Sequence, residues 1–221
     1  MNPVLRSHFE KSLARLDEDI LRMSSLARHS VVRALEAVVT SDLEIANEVI
    51  AGDAAINSLR YQLEQECYEL LVTEQPVARD MRRIVSALTV CSELERIGDH
   101  GKRISKVCRR MMETGFKIPL GDIPYLTNLA LDMVDRVMRA YATIDVPLAR
   151  EVCAADEQVD ALYKQTFNVV LSYMFEEPRS ITYGTHLIQI THELERIADR
   201  ATNIGERIIF SVTGELRDLN D

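Results

Sequence analysis

Apolar side chains recur along this chain at spacings of three, four and seven residues, with few interruptions. Phe9, Leu13, Leu16, Ile20, Met23, Ala27 and Ala34 form one such series, which places them on a single stripe of a helix of about ten turns. Asn2 followed by Pro3 suits its start, a cap before proline at the first helical position. Ser41-Asp42-Leu43-Glu44 has the form of a capping box for a second helix, whose stripe is Val49, Ile56, Leu63, Cys67 and Leu70. Pro76 interrupts it. A third helix runs from there to Thr114, where Gly115 and the stretch GFKIPLGDIP make a linker. With eight Gly and six Pro in 221 residues, the pattern predicts an all-α protein with breaks near residues 40, 76, 118, 144 and 178.

The second half repeats the first. Residues 26–59 align with 129–162 at an offset of 103, matching Leu26 with Leu129, Asp42 with Asp145, Val49 with Val152 and Asp53 with Asp156. In the third helix the offset is 100: ELERIGDHGKRI at 93–104 and ELERIADRATNI at 193–204 agree at seven of twelve positions. The difference falls at the turns holding Pro76 and Pro178, where changes of length are tolerated. The expected architecture is therefore two tandem antiparallel three-helix bundles related by internal duplication, over residues 1–115 and 122–215.

The duplicated frame sets two carboxylates four residues apart on one helix face, Glu95 with Asp99 and Glu195 with Asp199. Both pairs continue an apolar stripe, through Leu88 and Ile188, and like charges at that spacing repel. In an antiparallel hairpin, residues equally far from the turn lie level. Counting from the prolines sets Asp53 and Asn57 opposite Glu95 and Asp99, and Asp156 and Asp160 opposite Glu195 and Asp199. Each bundle thus gathers oxygen ligands from two helices, in a set suited to hard cations such as Mg²⁺, Mn²⁺ or ferric iron. The competing reading is a salt-bridge network, because Arg96, Lys102, Arg103, Arg196 and Arg200 are near in sequence. His100 and His192 stand beside the clusters as extra ligands or as surface residues.

Composition narrows the field. A content of 47% apolar and 28% charged residues suits a folded soluble domain, while a net charge of −9 excludes a general affinity for nucleic acid. The N-terminal sequence has no continuous apolar run, so neither a signal peptide nor a membrane span is expected, and a cytoplasmic location follows. Cys67, Cys91, Cys108 and Cys153 lie far apart in apolar contexts, as reduced core residues do. The third helix is locally basic, with nine Lys and Arg against five Asp and Glu between Pro76 and Thr114. That face reads either as solvated and salt-bridged or as a docking surface for an acidic partner, with Arg82 and Arg83 as contacts. No glutamate has a histidine three residues later, so the ferritin-like di-iron motif is missing. GDHGK at 98–102 lacks phosphate-loop spacing, and its glycines read as close helix packing.

The pair ELERIGD and ELERIAD, the upstream VIAGDAAIN, the PVARDMRRI opening the third helix and the two-bundle layout closely resemble the PhoU family of phosphate-signalling proteins. The resemblance covers nearly the whole chain. It implies two three-helix bundles, a cytoplasmic homodimer and multinuclear metal sites on the repeated motifs, holding iron, manganese, magnesium or zinc. It further implies a non-enzymatic negative regulator of phosphate uptake and the starvation response, whose partners are the phosphate ABC transporter ATPase and the phosphate sensor kinase. Contact with the membrane is then only indirect. Asn57 departs from a fully acidic motif and leaves the first cluster with less charge than the second. The alternative class is a metal-storage protein or metal-dependent enzyme on a helical bundle.

Overall fold

The computed structural model describes residues 3–215, with side chains from His8 onward. Its six α-helices are α1 (Pro3–Thr40), α2 (Leu43–Glu74), α3 (Arg79–Met112), α4 (Ile123–Thr143), α5 (Val146–Glu176) and α6 (Ile181–Thr213). A short 3-10 turn, Pro178–Ser180, precedes α6, and no strand occurs among the described residues. Every break anticipated from the punctuation falls between two of these helices. The Asn2 cap lies outside the described residues, and Pro3 is the first residue of α1.

The fold is two tandem three-helix bundles. Helices α1, α2 and α3 pack on one another, as do α4, α5 and α6, and the halves meet chiefly along α3 and α6. One apolar core runs through both. The α1 stripe from Phe9 to Ala34 and the α2 stripe from Val49 to Leu70 are buried throughout. Helices α2 and α5 begin at Leu43 and Val146, keeping the sequence offset. The halves differ in length: α1 has 38 residues and α4 only 21. The linker partly makes up the difference, since Ile118 is buried and Phe116 and Leu120 pack against the core.

Local chemistry corrects one reading. The cap of α2 is Asp42, not Ser41: its carboxylate accepts from the backbone N–H groups of Glu44 and Ile45 at 2.8 and 3.2 Å. An extended backbone at Asp42, with φ −105°, suits a cap, whereas Ser41 has φ 55° and its hydroxyl accepts from Lys117. The repeat preserves the device, because Asp145 caps α5 through the N–H of Leu148 at 3.0 Å.

Gly101 holds α3 close to α1. A Cβ there would lie 2.5 Å from Ser30 Oγ and 3.0 Å from the Ser30 carbonyl carbon, distances that backbone cannot accommodate without shifting. All four cysteines are free and buried, and burial pushes the Cys67 thiol up to about 12 and that of Cys153 to about 11. Thiols so shifted are inert at neutral pH.

Candidate functional site

In the first bundle, α2 contributes Asp53 and Asn57 and α3 contributes Glu95 and Asp99. Asp53 is 3% exposed, and its Oδ2 accepts from Asn57 Nδ2 at 2.8 Å and from Lys102 Nζ at 2.5 Å. The same ammonium lies 3.7 Å from Asp99 Oδ1, with Arg103 a further 3.9 Å from Asp99 Oδ2. Lys102 therefore bridges the two helices where like charges face each other. Glu95 is less fully matched: burial, then the neighbouring Asp99, raise its carboxyl above the ordinary range. Asp53 Oδ1 is buried with no hydrogen-bond partner.

The second bundle sets Asp156 and Asp160 of α5 against Glu195 and Asp199 of α6. Here no cation among the described residues bridges the helices. The nearest basic contacts are His192 to Glu195 at 3.4 Å, Lys164 to Asp160 at 3.6 Å and Arg200 to Asp199 at 3.8 Å. Burial, reinforced by Asp199, Asp160 and Glu195, pushes Asp156 up to about 6. Burial and then Asp199 push Glu195 up to about 7, and burial raises Asp199 as well. Glu195 Oε2 is buried without a hydrogen-bond partner. Four acids held this way have the oxygen-donor chemistry that hard cations take, and the one ion-pair contact of Glu195 Oε2 among the described residues is the His192 ring nitrogen at 3.4 Å. As the side chains stand, no three acidic, His or Cys groups among the described residues converge in a metal-holding geometry.

A PhoU domain family model matches residues 20–108 and again residues 123–208. The chain belongs to the PhoU family. It is 34% identical over 211 residues to the phosphate-specific transport system accessory protein PhoU homolog of Rhizobium meliloti, covering 95% of this chain and 89% of that protein. The Caulobacter vibrioides homolog of the same name is 36% identical over 208 residues, covering 94% and 90%. The crystal structure of PhoU from Pseudomonas aeruginosa superposes with a TM-score of 0.89 at 31% identity, over 94% of this chain and all of that one. That of the phosphate transport system regulatory protein PhoU from Streptococcus pneumoniae gives 0.88 at 31%, over 95% and 99%.

The two PhoU repeats are joined by contacts that the sequence reading missed. Glu93, the first residue of the duplicated frame, accepts across the junction from Arg200 and Asn203 of α6 at 3.3 and 3.2 Å. Its counterpart Glu193 lies 2.5 Å from His100 Nδ1 and 3.8 Å from Arg103 of α3. Residues 93 and 193, 100 and 200, and 103 and 203 are equivalent positions, so the junction has a pseudo-two-fold axis. Burial works the other way, yet contact with His100 and then Arg103 holds the Glu193 carboxyl below its usual range. The signal available in sequence was the invariance of this first glutamate between repeats.

His100 is therefore engaged with Glu193 at the junction, while His192 stands beside the second cluster. Much of the basic character of α3 is likewise matched internally. Arg83 pairs with Asp17, Arg96 with Glu93 and Lys102 with Asp53, and Arg82 donates to the Ser211 carbonyl. Arg82 and Arg83, each partly exposed, thus also brace the protein's own helices. No helix among the described residues is long and apolar enough to cross a membrane.

Proposed function

We propose that this protein is a cytoplasmic, homodimeric adaptor that docks on the phosphate transporter ATPase and its sensor kinase and restrains uptake and the starvation response. Iron, manganese, magnesium or zinc held at the duplicated clusters sets how it docks. Asp156, Asp160, Glu195 and Asp199 are the principal ligands, and Asp53, Asn57, Glu95 and Asp99 form the weaker second set. The names of the relatives, accessory and regulatory proteins of phosphate transport, support the regulatory part and favour a non-enzymatic role.

The under-neutralised second cluster carries the metal part. Burial, and then the neighbouring acids, hold Asp156 at about 6 and Glu195 at about 7, and a cation of charge two or more would offset both effects. Such a charge change at a surface alters encounter and partner choice.

The reading is tested by deleting the gene and restoring it as wild type or as Glu195→Ala with Asp199→Ala. Starvation genes should run constitutively in the deletion, return to control with wild type, and escape control with the variant. An unchanged response accompanied by altered cellular iron or manganese would favour the storage or enzyme class instead.

A further inference from the structure

The first turns of α3 bring Arg79, Arg82 and Arg83 to the junction of the two bundles. Arg83 pairs with one oxygen of Asp17 on α1, and Tyr141 of α4 donates to the other at 2.8 Å. Both oxygens of that carboxylate are thus occupied and its charge is matched. Arg79 is exposed and makes no ion pair among the described residues.

Asp17, Arg79, Arg83, Ser86, Tyr141 and Ser211 line a cavity of about 40 Å³ here, and the apolar residues Val90 of α3, Ile144 at the end of α4, and Ile208 and Val212 of α6 complete its walls. On the same measure one water needs about 10 to 15 Å³, so the space holds a larger group. Ser86 is 3% exposed, and its hydroxyl has no hydrogen-bond partner. A helical serine commonly bonds the carbonyl four residues earlier; this one lines the cavity unpaired.

We propose that the cavity binds a small tetrahedral oxyanion, for which inorganic phosphate is the probe. Guanidinium N–H groups of Arg79 and Arg83 match such an anion in shape and charge, and the Ser86 hydroxyl, buried at the wall with no partner of its own, turns to the anion as a third donor. The lining carboxylate, Asp17, is already satisfied, so the guanidinium of Arg79 leaves the site positive. Because the walls come from α1 and α3 of one bundle and α4 and α6 of the other, the bound anion touches both halves. This site shares no residue with the carboxylate clusters and does not depend on their holding metal.

The test is calorimetric titration of inorganic phosphate into the full-length protein at low ionic strength with chelator present. Saturable binding is expected in the wild type, weakened about tenfold or more by Arg79→Gln and about threefold to tenfold by Ser86→Ala. Arg109→Gln, at an exposed position near the far end of α3, should bind as wild type, and sulfate should compete. Ser86→Ala removes only an unpaired hydroxyl, so its melting curve should match wild type and any loss of binding is local. Absence of saturable binding, equal affinity in all three variants, or binding seen only when chelator is left out, as for metal-borne phosphate, overturns the proposal.

Discussion

Glu93 and Arg200 sit on different bundles, and their charged groups meet at 3.3 Å with 8% and 11% of their side chains exposed. A guanidinium cannot shed its charge when its partner is lost. At the equivalent place in the other repeat, Glu193 faces the imidazole of His100 instead of a buried guanidinium. Glu93→Ala should therefore cost about 3 to 5 kcal/mol, and Glu193→Ala about 1 to 2 kcal/mol. Urea denaturation at neutral pH measures both, and equal losses would contradict the account of the junction.

Metal content should follow the same asymmetry between halves. Glu195→Ala with Asp199→Ala should remove more metal than Glu95→Ala with Asp99→Ala, because Lys102 already compensates the first cluster. Lys102→Met should raise metal uptake at that cluster by removing the competing charge. Equilibrium dialysis with elemental analysis decides it. Unchanged metal in both double variants, with stability lost instead, would restore the salt-bridge reading for both halves.

The acids of the second cluster predict a pH dependence in chelator-treated protein. Asp156 and Glu195 are raised to about 6 and 7 in the fold, so the native state keeps protons that the unfolded chain releases. Stability is then greatest below the ordinary carboxylate range and declines as pH rises through the folded values. From these groups the melting temperature should fall between about pH 4 and pH 7, and Glu195→Gln should flatten the slope. A melting temperature that climbs across that window in the wild type and is untouched by Glu195→Gln refutes the assignment.

Two glycines should respond with opposite signs. A Cβ at Gly52 of α2 meets nothing within 4 Å, whereas one at Gly101 meets the α1 backbone. Gly52→Ala should stabilise by about 0.8 to 1 kcal/mol through helix propensity, and Gly101→Ala should destabilise by about 1 to 3 kcal/mol through overpacking. Thermal melts of the pair provide the comparison.

Helical periodicity and the offset between repeats made the six helices, their breaks and the facing of Asp53 with Asp99 readable in advance, since these depend on backbone geometry alone. The ends of long side chains were not readable. Lys102 reaches two carboxylates on two helices, and Arg83 turns inward to Asp17, through rotamers that no spacing rule fixes. His100 was placed beside the first cluster by its neighbour Asp99. Its ring instead belongs to the junction, because a residue one position on lies about a quarter turn round the helix. The Asp42 cap was missed by one residue because serine and aspartate are both good caps and only the backbone angle separates them.

The linker between α3 and α4 has a consequence beyond connection. Had the two bundles been separate identical chains meeting about the same axis, any lysine bridging one cluster would bridge its mate as well. Covalent fusion frees each half to change alone. Lys102 in one repeat corresponds to Thr202 in the other, and Asn57 to Asp160. One ancestral pattern has thereby become a self-neutralised site and an anionic one, a difference that no symmetric pair of identical subunits can encode.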